Sequence, residues 1–143
     1  MLAQLTKKHA KYFVLPAMVI TLVSVCTVPM AFAGLATNTV DPVAIVTDDG
    51  RHIIVTGPIE CTESERAYLQ VTVTQRSTGA VAQGRTRITC TGDTQQWEVH
   101  AALQGNETFQ AGPATAVALA HTTSSGETTD AHQWLVDITL MSE

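Results

Sequence analysis

The sequence predicts an all-β fold, a single antiparallel sandwich of about seven short strands behind a removable leader. Three observations carry this reading. Period-two alternation of apolar and polar residues recurs after residue 40, whereas no sustained apolar 3.6-residue period is present. Threonine occurs nineteen times after residue 33, and with valine it supplies β-branched side chains that favour a pleated, half-buried surface. Turn-forming clusters of Gly, Asn, Asp and Ser punctuate the alternating runs.

The leader comes first. Lys7, Lys8 and Lys11 form a basic cluster, an uncharged stretch runs from Tyr12 to Val40, and Ala31-Phe32-Ala33 precedes Gly34. A basic start, an apolar middle and an A-x-A end make up a secretory signal peptide, with cleavage expected between Ala33 and Gly34. The uncharged run is also long enough for the alternative, an uncleaved membrane anchor, since about 20 residues span a bilayer. Pro16 and Pro29 interrupt that helix and favour cleavage. Cys26 follows Val25 rather than a small residue, which argues against a lipidated leader, and no twin-arginine pair is present. The sequence thus divides into residues 1–33, a signal peptide, and residues 34–143, one domain large enough for a single core.

Cleavage removes every lysine. Arg51, Arg66, Arg76, Arg85 and Arg87 then face all thirteen carboxylates, so the domain carries 5 − 13 = −8. An acidic, lysine-free chain has little electrostatic reason to bind nucleic acid or an anionic membrane. The expected partner is an extracellular protein or glycan, with no nucleic acid and no membrane once the leader is gone.

Within the domain the strands follow in order. Residues 43–47 (VAIVT) and 52–57 (HIIVTG) are apolar runs joined by Asp48-Asp49-Gly50-Arg51, where "DG" signals a hairpin. Leu69, Val71 and Val73 alternate with Gln70, Thr72 and Thr74. Thr86, Ile88 and Cys90 alternate with Arg85, Arg87 and Thr89, and Trp97, Val99, Ala101 and Leu103 with Glu98, His100 and Ala102. Residues 115–121 (TAVALAH) are apolar on both faces, as in a central strand under cover. Trp134, Val136, Ile138 and Leu140 close the series with one dry face. Residues 122–130 (TTSSGETTD) read as a mobile loop. About seven such strands in one domain point to an immunoglobulin-like sandwich, with a barrel as the runner-up.

Cys61 and Cys90 are the two cysteines left after cleavage, and an even pair in an oxidising compartment predicts a disulfide. Closing a loop of about 29 residues stabilises by roughly 3.5 kcal/mol in the chain-entropy model. A thiol nucleophile would need an activating base and a reducing environment, and neither is evident. Trp97 follows Cys90 across a short turn, so a hairpin would bring its indole alongside the cystine.

The strings G-P-I-E-C (57–61), A-Y-L-Q-V-T-V-T-Q (67–75), C-T-G (90–92), W-E-V-H (97–100) and F-Q-A-G-P-A-T-A-V (109–117) resemble a family of small secreted actinobacterial proteins built on a domain of unknown function. The shared order is Cys, an alternating strand, Cys-x-Gly, Trp-x-Val and Phe-x-x-Gly-x-Ala. The resemblance covers residues 57–117 and, more loosely, the rest of the domain. It implies a secreted β-sandwich with a cystine and brings no activity with it.

Candidate chemistry is sparse. His52, His100, His121 and His132 show neither H-x-H nor H-x-x-x-H spacing, so no metal ligand set and no cofactor is expected. A weak metal site of His121, His132 and Asp130 across a hairpin is the one arrangement to test, against three solvated residues at strand ends. Glu60, Glu63 and Glu65 crowd one loop, where a glycosidase-like carboxylate pair competes with chance clustering on an acidic surface. Ser64, Ser77, Ser124, Ser125 and Ser142 lie outside any G-x-S-x-G, and no phosphate-binding glycine loop occurs. Asn106-Glu107-Thr108 is a formal glycosylation sequon with little meaning in a bacterial chain. No catalytic residue is assigned. The expectation is a non-catalytic extracellular structural or binding module, using an exposed sheet or the loops 62–66, 104–113 and 122–130. The alternative is a small secreted hydrolase or an inhibitor of one.

Overall fold

The computed structural model describes residues 34–143, and the expected signal peptide with its cleavage site at Ala33 lies outside or at the edge of them. Eight strands make up the domain: β1 (Leu35–Asn38), β2 (Val43–Thr47), β3 (His52–Cys61), β4 (Arg66–Gln75), β5 (Ala80–Thr89), β6 (Gln95–Leu103), β7 (Gly112–Ser124) and β8 (Glu127–Ser142). The chain is all-β apart from a short 3-10 turn at Asp48–Gly50.

The strands do not separate into two independent sheets, which corrects the sandwich expectation. Their order is β1-β3-β2-β8-β7-β4-β5-β6, and β6 returns to pair with β3, closing seven strands into a barrel. Closure has two physical causes. First, β3 uses both edges: β6 pairs with it from His52 to Ile59, while β2 takes the start of the other edge and β1 its end. The chain then crosses through Val40, Asp41 and Pro42, and β2 continues parallel to β8. Second, β5 joins β6 over only two residue pairs, Ala82↔Leu103 and Gln83↔Ala102. The next residue, Gly84, lacks the β-carbon that would sit 2.6 Å from Val99 Cγ1, so β5 passes close over β6. These narrow seams leave two broad faces around one core.

The alternation seen in the sequence sets the core. Ile53, Val55 and Ile59 from β3, Leu69, Val71 and Val73 from β4, and Val99 from β6 are fully or almost fully buried. From β7 come Ala114, Ala116, Ala118 and Ala120, small residues that let the opposite face approach. That strand pairs with β4 and β8 and is central, but it is covered on one face only, because Leu119 and His121 face solvent. On β8, Ile138 and Leu140 are buried, whereas Val136 and Trp134 are only half-buried as the strand runs toward its hairpin tip.

Residues 122–130 are not a loop. They extend β7 and β8 to a two-residue turn at Ser125-Gly126, with φ of 52° and 88°. Positive φ at both central residues gives the turn a twist that matches its flanking strands. At the other end, the buried Gln75 amide holds the 104–113 loop: its Nε2 donates to Gln110 O (2.8 Å) and its Oε1 accepts Gln110 N–H (2.9 Å).

Candidate functional site

The cysteines sit where the two faces meet. Cys61 ends β3, Cys90 follows β5, and they form a disulfide with Cα atoms 5.5 Å apart. Both are buried. The connection beside them is stitched by backbone bonds, Ser64 N–H to Cys90 O (3.0 Å) and Cys90 N–H to Glu65 O (2.9 Å). A covalent tie of this kind fits an oxidising, extracellular location. Among the described residues no helix is long and apolar enough to cross a membrane.

Trp97 is buried as expected, but its indole is placed by Gly57, its register partner on β3. A β-carbon at position 57 would lie 2.7 Å from Trp97 Cζ2, and Nε1 donates to Pro58 O at 3.3 Å. The glycine makes room both for the ring and for the Thr39 carbonyl, the nearest atom to the missing β-carbon.

Of the candidates for chemistry read from sequence, only Asp130 and His132 are in contact among the described residues. Glu60 accepts a hydrogen bond from Thr94 Oγ1 (3.2 Å), Glu63 is exposed, and Glu65 is buried with Oε2 unpartnered among the described residues. On the β7–β8 ladder His121 faces Ala131, and His132 faces Ala120. Directly opposed residues share a face and successive ones alternate, so the two histidines stand on opposite sides of the sheet. Among the described residues no group of three His, Cys, Asp or Glu side chains is placed to hold a metal ion. His132 instead contacts Asp130 (Nε2 to Oδ2, 3.4 Å) and meets Trp134 edge-on. His100 contacts Glu98 at 2.7 Å on the exposed side of β6. His52 is exposed at the start of β3.

Asp130 serves structure. Its carboxyl is held below the ordinary carboxylate range, chiefly by the Leu35 N–H (2.9 Å), with burial opposing and Ala131 N–H and His132 assisting.

What the sequence reading missed is a composed surface on the outer side of β4, β5 and β7. Register brings Tyr68 between His121 and Arg87, Gln70 between Leu119 and Arg85, and Arg66 between Thr123 and Thr89. The Tyr68 and His121 rings stack, with centroids 5.0 Å apart and planes 8° from parallel. Tyr68, Gln70, Arg85, Leu119 and His121 line an open hollow of about 320 Å³. Alternation had already put Gln70, Arg85 and Arg87 on wet faces. The pairing of β4 with β7, some fifty residues away along the chain, left no local signal.

No protein-family profile matches the chain, and no curated protein does. Among solved structures it is similar to a glycosyl hydrolase family 2 member from Bacteroides cellulosilyticus DSM 14838, at 12% identity and a TM-score of 0.44. That match covers 74% of this chain and 15% of the other. It is also similar to DesR, a beta-glucosidase from Streptomyces venezuelae, at 15% identity and a TM-score of 0.36 over 71% of this chain and 14% of that one. A beta-glucuronidase from glycoside hydrolase family 2 gives 13% identity and a TM-score of 0.35, covering 74% of this chain and 11% of that enzyme. The chain therefore spans about a seventh or less of these proteins, and likeness at this level carries nothing about its activity.

Proposed function

We propose that the protein is a secreted, non-catalytic binding module, of the kind the small actinobacterial family represents. The observation that carries this reading is the outer face of β4, β5 and β7, where an aromatic stack, an amide and Arg85 line a hollow and Arg66 and Arg87 share the same face. Polar groups converging on a concave surface are the usual make-up of a recognition site. The signal-like leader and the disulfide support export. An immunoglobulin-like kinship is part of the same reading, supported by mostly antiparallel strands tied by one cystine.

The test is retention of the purified protein on insoluble extracellular polymers and on surface proteins, with the supernatant assayed for released fragments. Specific retention without fragments is expected. Turnover of the retained polymer would establish the hydrolase alternative.

A further inference from the structure

We propose that the outer face of β4, β5 and β7 binds a carboxylated polysaccharide, with one uronate-type sugar seated in the Tyr68–Arg85–His121 hollow. This deepens the binding-module reading and rests on it.

Charge is the first argument. Three of the five arginines in residues 34–143, Arg66, Arg85 and Arg87, lie on this one face of a domain whose net charge is −8. All three are exposed, and among the described residues none forms an ion pair. The cross-strand rows that carry them contain no carboxylate: they read Thr128, Thr123, Arg66, Thr89, then Ala131, His121, Tyr68, Arg87, then Gln133, Leu119, Gln70, Arg85. The first acid along β8 on this face is Asp137, four residues beyond Gln133. On the other side, β6 continues this face through Ala102, His100 and Glu98, and the Glu98 carboxylate is engaged by His100 at 2.7 Å. Arg85 and Arg87 point the same way, two residues apart, about 7 Å along one strand. Each presents a planar fork suited to a carboxylate.

Shape and chemistry select the rest of the ligand. The parallel Tyr68 and His121 rings form a rigid ledge with a polar tip. Gln70 offers a donor and an acceptor to hydroxyl groups, and Leu119, 43% exposed, gives an apolar flank. A hollow of about 320 Å³ has room for a single sugar ring. Because it opens on a sheet face, a polymer can run across it, setting its carboxylates against successive arginines.

Protein expressed from the full-length chain is titrated by calorimetry with polygalacturonate, fully methyl-esterified polygalacturonate, polyglutamate and a single-stranded oligonucleotide, and amide shifts are recorded. Saturable binding of polygalacturonate with shifts at Tyr68, Gln70 and Leu119, and none with the ester, is expected. Arg85→Gln with Arg87→Gln should weaken it about tenfold or more, and Tyr68→Ala should weaken it without changing its salt dependence. No binding of polygalacturonate, equal binding of the ester, or equal or tighter binding of polyglutamate or the oligonucleotide overturns the proposal. Binding with shifts confined to another face overturns it and leaves the module reading standing. Shortening of the polymer overturns both.

Discussion

Asp130 Oδ2 accepts the Leu35 backbone N–H at 2.9 Å, so the last strand anchors the first across 95 positions of sequence. Only the carboxylate form makes this bond well, which is why the carboxyl is held below its ordinary value. A group depressed in the folded state stabilises above its unfolded pKa of about 3.9 and loses that contribution as pH falls through the lower folded value. Unfolding by urea should therefore show wild type more stable than Asp130→Asn at pH 7. The gap should close below about pH 3.9. A gap unchanged at acid pH would mean that the side-chain charge does nothing here.

The disulfide prediction has a definite scale. Replacing both cysteines, Cys61→Ala with Cys90→Ala, should lower unfolding free energy by about 2–4 kcal/mol, seen as a lower denaturant midpoint. The seam it closes is also held by the backbone bonds of Ser64, Glu65 and Cys90. The reduced domain should therefore keep its β-type circular dichroism at low denaturant. Loss of all strand signal on reduction would show that the tie is needed for folding itself.

Gly57 and Trp97 supply a steric test. With a β-carbon against the Thr39 carbonyl and 2.7 and 2.9 Å from two indole carbons, Gly57→Ala forces the ring, β3 or the β1–β2 connection to move. Overpacking of this kind costs about 1–3 kcal/mol. Tryptophan fluorescence should shift to the red as the ring leaves its buried seat and the Nε1–Pro58 O bond is lost. Gly105→Ala, where nothing lies within 4 Å of the added carbon, is the matched control and should change little.

These residues also show what was legible beforehand. The cystine followed from an even cysteine count behind a signal-like leader. The inward faces of β4, β5, β6 and β8 followed from alternation, because each strand is wetted on one side only. β1 was not legible: Leu35–Asn38 is four residues long and too short to alternate. The 122–130 segment was misread because its hairpin tip is exposed from Ser124 to Thr129, so no dry face imposes a pattern. Closure of the barrel and the Tyr68–His121 stack both depend on register between strands distant in sequence. Local pattern does not encode it. The close approach of Gly57 on β3 to the Trp97 ring likewise carried no local signal.

Gln75 was placed in a strand by sequence, but nothing in the pattern marked its amide as buried. It is 1% exposed and its two amide ends satisfy both the N–H and the carbonyl of Gln110, while Thr78 Oγ1 lies 3.2 Å from its Oε1. Gln75→Leu keeps much of the volume and takes both side-chain partners away from the part-buried N–H and O of Gln110. Each lost hydrogen bond costs about 0.5–1.5 kcal/mol. The loss should fall on the 104–113 segment, where backbone bonds to the 3-10 turn and β5 are few: Phe109 N–H to Gly50 O and Gln104 N–H to Val81 O. Hydrogen exchange should accelerate at Gln110 and Phe109 before it does at Val71 or Val99. Equal acceleration throughout would mean that Gln75 supports the whole barrel rather than this one loop.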